Sequence, residues 1–155
     1  MRDYSGGFMR RPVLIGSAVA ATALALSACG GGGSSAGGDP QSLIDTSYSV
    51  TSITVDGADR EVLGPVEIAF TADTISVATP CNGMSGPVTY AESTLTVGAL
   101  AQTKMACEPE LMEQDQIIAD ALAANPAWQL SGEQLTLTGG GTVISGDNLL
   151  KDVTP

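Results

Sequence analysis

Two cysteines constrain this chain more than any other feature. They sit in the stretch running from Pro80-Cys81-Asn82-Gly83-Met84-Ser85-Gly86 to Thr103-Lys104-Met105-Ala106-Cys107. In an exported protein Cys81 and Cys107 are natural disulfide partners, because the third cysteine, Cys29, has a separate fate. In the chain-entropy model, closing a loop of that length stabilises by roughly 3.5 kcal/mol. The same stretch carries an Asn82-Gly83 turn signal and a strand-rich middle, and the best candidate helix follows at once. A chain of 155 residues accommodates one domain plus a tail.

The N-terminus supplies the expectation of export. Arg2, Arg10 and Arg11 precede an uncharged run from Val13 to Leu26, too short to span a hydrocarbon core about 30 Å thick. The run ends in Leu26-Ser27-Ala28-Cys29, which looks like a lipobox, the site where a lipoprotein signal is cleaved and the cysteine receives lipid. Residues 1–28 therefore read as a lipoprotein signal peptide, with Cys29 as the lipidation site. The alternative is an ordinary secretory signal with an incidental cysteine. Residues 29–44 read as the lipidated cysteine and a flexible tether rich in Gly and Ser, and residues 45–155 as the folded domain. A phosphate-cradling loop is not expected, since no Gly-Lys-Ser/Thr follows the glycines.

Charge narrows the partners. From Cys29 onward only Arg60, Lys104 and Lys151 are basic, against sixteen Asp and Glu, a net charge of −13. Nucleic acid is a poor partner for such a surface, whereas a basic protein suits it. The simpler reading is that the charge keeps an exported domain soluble. Histidine is absent, which removes Ser-His-Asp and Cys-His catalysis and any imidazole metal site.

Hydrophobic periodicity predicts short strands. Tyr48, Val50, Ile53 and Val55 lead to an Asp56-Gly57 turn, Val66, Ile68 and Phe70 share one face, and Ile75 and Val77 share another. Val88 to Tyr90, Leu95 to Val97, Trp128 to Leu130, Leu135 to Leu137 and a last strand from Val143, broken near Gly146, complete the set. Glu108 to Asn125 differs, because Leu111, Ile118, Ala121 and Leu122 recur at helical spacing between Pro109 and Asn125-Pro126. The predicted class is α+β, mostly β: a curled antiparallel sheet or barrel, closed at one end by one main amphipathic helix. Met105 and Met112 are expected as core filler.

The Cys-Asn turn and the Thr-x-Met-Ala-Cys segment resemble the signature of the META (HslJ-like) domain family. The resemblance runs from about Thr46 to Leu150. It rests on Cys81-Asn82 with Gly86, on Leu95-Thr96-Val97, on Thr103-Lys104-Met105-Ala106-Cys107 before Met112-Glu113-Gln114, and on Leu135-Thr136-Leu137. It implies a β-rich domain with one main helix, belonging to small envelope or secreted proteins linked by name to heat shock, motility and antibiotic tolerance. No enzyme chemistry is assigned to them. Asn82, Gly86, Thr103, Lys104, Met105 and Ala106 are the family-motif residues. Pro87 stands where the pattern expects a strand to start.

Few constellations offer chemistry. Asn82-Gly83 is either a displayed recognition loop or a turn pinned by the disulfide. Asp56, Asp59 and Glu61 are candidates for calcium, although their spacing does not match the EF-hand loop. Lys104 either orients an anionic ligand or pairs with a nearby carboxylate, with pairing favoured. Ser85 and Ser131 have no base within any motif. The expectation is a tethered, non-catalytic lipoprotein without cofactor or metal, anchored in the cell membrane or outer membrane and facing the extracytoplasmic side, with a possible role in stress tolerance. The alternative is an anionic inhibitor module for a basic extracellular enzyme such as lysozyme.

Overall fold

A computed structural model describes residues 38–149. The signal segment, Cys29, most of the tether, and the C-terminal residues including Lys151 lie outside the described residues. A 3-10 turn at Pro40–Ser42 precedes Leu43, which is fully buried, so packing reaches back into the segment assigned to the tether.

Ten strands and one helix follow. They are β1 (Thr46–Val55), β2 (Ala58–Arg60), β3 (Glu67–Phe70), β4 (Thr74–Ala78), β5 (Gly83–Tyr90), β6 (Leu95–Val97), β7 (Ala101–Gln102), α1 (Pro109–Ala123), β8 (Ala127–Ser131), β9 (Gln134–Gly139) and β10 (Thr142–Asn148). All pairings are antiparallel, in the order β6-β5-β4-β3-β1-β10-β9-β8, with β2 beside β1 and β7 beside β5. The two ends of that order meet. Leu95 N–H donates to the Pro126 carbonyl at 2.9 Å, Trp128 N–H donates to Ser93 O at 3.0 Å, and Thr94 bridges Ala127. The sheet is thereby nearly closed into a barrel, which leaves few free edges.

Turn chemistry sets much of the register. Asp56-Gly57 and Gly140-Gly141 form two-residue hairpin loops with positive φ at both positions, the backbone that matches the twist of the flanking strands. β1 contains a bulge between Val50 and Ser52, so its inward positions pass from Tyr48 and Val50 to Ile53 rather than keeping strict alternation. Gly146 lies opposite Val50 at this bulge, and a Cβ there would fall 2.7 Å from Ser49 O. The break expected near Gly146 is therefore absent, and the irregularity belongs to β1 instead.

β5 also departs from expectation. It starts at Gly83 and runs through Pro87. The Pro87 carbonyl accepts from Gly98 N–H at 2.8 Å, on the side where β5 changes partner from β7 to β6. A residue without N–H fits such a gap. The strands β2 and β7 were not anticipated, being only three and two residues long.

One core joins the sheet and the helix. Trp128, Tyr48, Phe70, Leu43, Ile53, Ile68, Ile75, Leu95, Leu135 and Leu137 pack with Ile118 and Leu122 of α1. Tyr48 meets Phe70 edge-on at 6.1 Å, and Trp128 Nε1–H donates to Ala91 O at 2.8 Å. The helix ends as the sequence predicted, with Asn125 at φ 53° and its Oδ1 accepting from Val97 N–H at 3.0 Å. Its buried face carries Ile118, Ala121 and Leu122, while Leu111 is half-buried.

Two substitutions test this face. Ile118→Asp puts an unpaired carboxylate into the core and should cost more than about 4 kcal/mol by denaturant unfolding. Asp120→Ala removes only an exposed bond from Gln116 and should stay within about 0.5 kcal/mol. Equal midpoints for the two would contradict the assigned face.

Candidate functional site

The signature residues converge on one buried side chain, Asn82. Its Nδ2 donates to Asp115 Oδ2 at 2.8 Å and to Cys81 Sγ at 3.0 Å. Its Oδ1 accepts from Thr103 Oγ1 at 3.0 Å and from Met105 N–H at 2.9 Å. A side-chain amide has two donors and two acceptor positions, and here all four are used. Among the described residues no buried side-chain polar atom lacks a partner.

The bonds extend outward from there. Asp115 Oδ1 accepts from the Thr79 hydroxyl at 2.6 Å, and Thr79 Oγ1 in turn accepts from Asn82 N–H at 3.0 Å and from Cys81 N–H at 3.3 Å. Thr103 Oγ1 accepts from Gly83 N–H, and Thr103 N–H donates to Gly83 O, both at 3.0 Å. The preceding helix residue does the same for another loop: Gln114 Oε1 accepts from Leu63 N–H at 2.7 Å and Gln114 Nε2 donates to Leu63 O at 3.2 Å. The Cys81–Cys107 disulfide, with Cα atoms 5.9 Å apart, closes the same corner covalently.

Each motif residue has a definite place in this arrangement. Cys81 and Asn82 are buried, Cys107 and Gly86 are half-buried, and Thr103, Lys104, Met105 and Ala106 are exposed. Gly86 is required by the chain crossing over it, since a Cβ there would lie 2.8 Å from Ala99 O. The signature therefore divides into a buried lock and an outward-facing segment whose backbone the lock holds.

Asn82 closes the turn at residues 79–82 that the disulfide pins, the arrangement the sequence favours over a displayed loop, with its side chain inward and Gly83 opening β5. Two expectations are corrected. Met105 and Met112 are 63 % and 43 % exposed, not core filler, because residues 103–106 run on past the end of β7 with their side chains exposed and Met112 falls off the Ile118 face of α1. Lys104 makes no ion pair among the described residues, where the one pair is Arg60 with Glu113 at 3.5 Å on the surface. Asp56 lies in a hairpin turn and Asp59 accepts from Thr54, and no acidic group of the described residues gathers as a metal site. The residue that sequence reasoning missed is Asp115. A signal existed, since it interrupts the apolar series Leu111, Ile118, Leu122 at helical spacing.

Other parts of the surface offer little acid–base chemistry. A shallow concavity of about 600 Å³ lies on the outer face of β3, β4, β5 and β7, lined by Ala69, Ser76, Ala78, Ser85 and Ala101, with Glu67 its only charged wall. Tyr90, whose hydroxyl donates to Thr71 O, is pushed up to about 12 by burial first and by the Asp73 and Asp45 carboxylates next. It sits at the opposite end of β5 from Asn82.

A nearly closed β-barrel with one packed helix and a disulfide-closed polar lock defines the class of domain. The META domain model matches residues 41–148, and the chain belongs to the META domain family. Similar solved structures include an NMR structure of a protein from Burkholderia xenovorans, 23 % identical, covering 72 % of this chain and 87 % of that one, with TM-score 0.61. A second NMR structure is 29 % identical, covering 70 % and 93 %, with TM-score 0.59. A crystal structure of a DUF4847 family protein from Bacteroides vulgatus is 11 % identical, covering 69 % and 94 %, with TM-score 0.52, and shares the fold alone. Among curated proteins no significant match was found.

The lock is testable as a unit. Asn82→Ala strands the buried Asp115 carboxylate and the Met105 N–H, and should cost roughly 3–5 kcal/mol. In a double-mutant cycle with Asp115→Ala the losses should fall short of additivity by about 0.5–3 kcal/mol. Strict additivity in urea unfolding would contradict direct coupling.

Proposed function

We propose that this chain is a membrane-tethered META-domain lipoprotein with a non-catalytic role in the cell envelope. It is held by lipid on Cys29, on the extracytoplasmic side of the cell membrane or outer membrane. The non-catalytic part is carried by one observation, the commitment of the signature's polar groups. Asn82, Thr79, Thr103 and Asp115 bond to each other and to main chain inside the fold. Groups saturated with structural bonds are poorly placed to move a proton or attack a substrate. The tether part is supported by Leu26-Ser27-Ala28-Cys29 behind an apolar run, and by the glycine-rich residues that follow.

Charge supports capture of a basic partner. The described residues carry Arg60 and Lys104 against fifteen carboxylates, and Arg60 is already paired with Glu113. Such a surface repels nucleic acid and steers cationic proteins. Inhibition of a basic extracellular enzyme, with lysozyme as the test case, is one form that capture takes. A role in stress tolerance is the form the family resemblance adds.

Phase partition in detergent tests the anchor. The wild type should enter the detergent phase, and Cys29→Ser should lose both lipid and processing. Normal cleavage of Cys29→Ser with release of soluble protein would overturn the lipoprotein reading. Capture is tested separately: binding to lysozyme should weaken as salt rises through about 0.1 M, where exposed charges are screened beyond about 10 Å. Salt-independent binding would contradict charge-steered capture.

A further inference from the structure

The described residues contain five sulfur atoms, in Cys81, Met84, Met105, Cys107 and Met112. Their environments differ sharply. The two cysteine sulfurs are bonded to each other, and Met84 is 2 % exposed on the inner face of β5. Met105 is 63 % exposed and Met112 43 % exposed, so these two thioethers are the reduced sulfurs that solvent reaches.

The Met105 main chain is tied down although its side chain is exposed. Its N–H donates to Asn82 Oδ1 at 2.9 Å, and two residues later Cys107 is fixed by the disulfide. The backbone on both sides is thus tied to the buried lock while the thioether projects into water. Oxidation of a core methionine inserts a polar oxygen among apolar neighbours and disrupts packing. At Met105 the added oxygen faces solvent, so neither the core nor the lock is disturbed.

We propose that Met105 is an oxidation site, the position where this domain takes up one oxygen atom from a hydroperoxide. With a hydroperoxide, a sulfur lone pair attacks one peroxide oxygen and the O–O bond breaks as the S–O bond forms. The departing oxygen takes the proton and leaves as water or alcohol. Sulfur loses two electrons, the peroxide gains the same two, and methionine sulfoxide results. The change turns the most exposed large apolar side chain of the described residues into a polar one, without moving the main chain that carries it. This inference stands apart from the lipid anchor, so its failure leaves the envelope reading intact.

The experiment treats the folded full chain briefly with hydrogen peroxide and follows sulfoxide at Met84, Met105 and Met112 by peptide mass spectrometry. Sulfoxide should form first at Met105, ahead of Met112 and about ten-fold or more ahead of Met84. The singly oxidised chain should keep its melting temperature and its disulfide. Met105→Leu should remove the fastest phase and leave the rates at Met84 and Met112 unchanged. Comparable rates at Met105 and Met84, Met112 outrunning Met105, or unfolding on oxidation of Met105 alone would each overturn the proposal.

Discussion

The side-chain amide of Asn82 is the interaction on which the rest of this domain depends. It joins three pieces of chain at one point: the turn at residues 79–82, the extended segment at 103–105, and the helix through Asp115. An uncharged hydrogen bond contributes only about 1 kcal/mol net, and a bond to a charged group about 1.5–3 kcal/mol. The larger effect is the asymmetry. Any partner removed leaves buried groups without water to replace it, so the four bonds act together. The Cys81–Cys107 link adds a different kind of stabilisation, acting chiefly on the unfolded chain by restricting its loop.

This arrangement explains why residues 98–107 follow the barrel without being a full strand of it. β7 has only two residues, and beyond the one further backbone bond from Thr103 N–H to Gly83 O the segment is held by a side chain and a disulfide. Gly86 lets the crossing chain approach, and Thr103 hands it to the Asn82 amide. Adjacent helix residues, Gln114 and Asp115, then tie α1 to two separate loops. The helix is positioned by polar bonds at its N-terminal half and by Ile118, Ala121 and Leu122 at its C-terminal half.

Much of the fold was legible where burial imposes a period. Val66, Ile68 and Phe70 and then Ile75 and Val77 alternate because one face of their strands is inside, and Asp56-Gly57 turns because both residues accept positive φ. The helix ended where Asn125-Pro126 required it. What failed was local chemistry overridden by tertiary bonds. Asn82-Gly83 marks the end of the turn at residues 79–82, but the four partners that draw the Asn82 side chain inward leave no local signal. Met105 has the composition of core, yet sits on a segment pinned from beneath with its side chain outward. Asp115 was passed over because a carboxylate is ordinarily expected in water, and only the three-dimensional meeting with Thr79 and Asn82 accounts for its burial.

The central claim is that the signature is a lock before it is a surface. Native-state hydrogen exchange at the Met105 amide addresses this most directly, because that N–H lies on a segment whose side chains are exposed. If Asn82 holds it, the Met105 amide should exchange only in the global unfolding that releases core amides such as those of Ile68 and Val77, and Asn82→Ala should return it to the fast exchange of open chain. Fast exchange at Met105 in the wild type, with the strand amides still protected, would contradict the account.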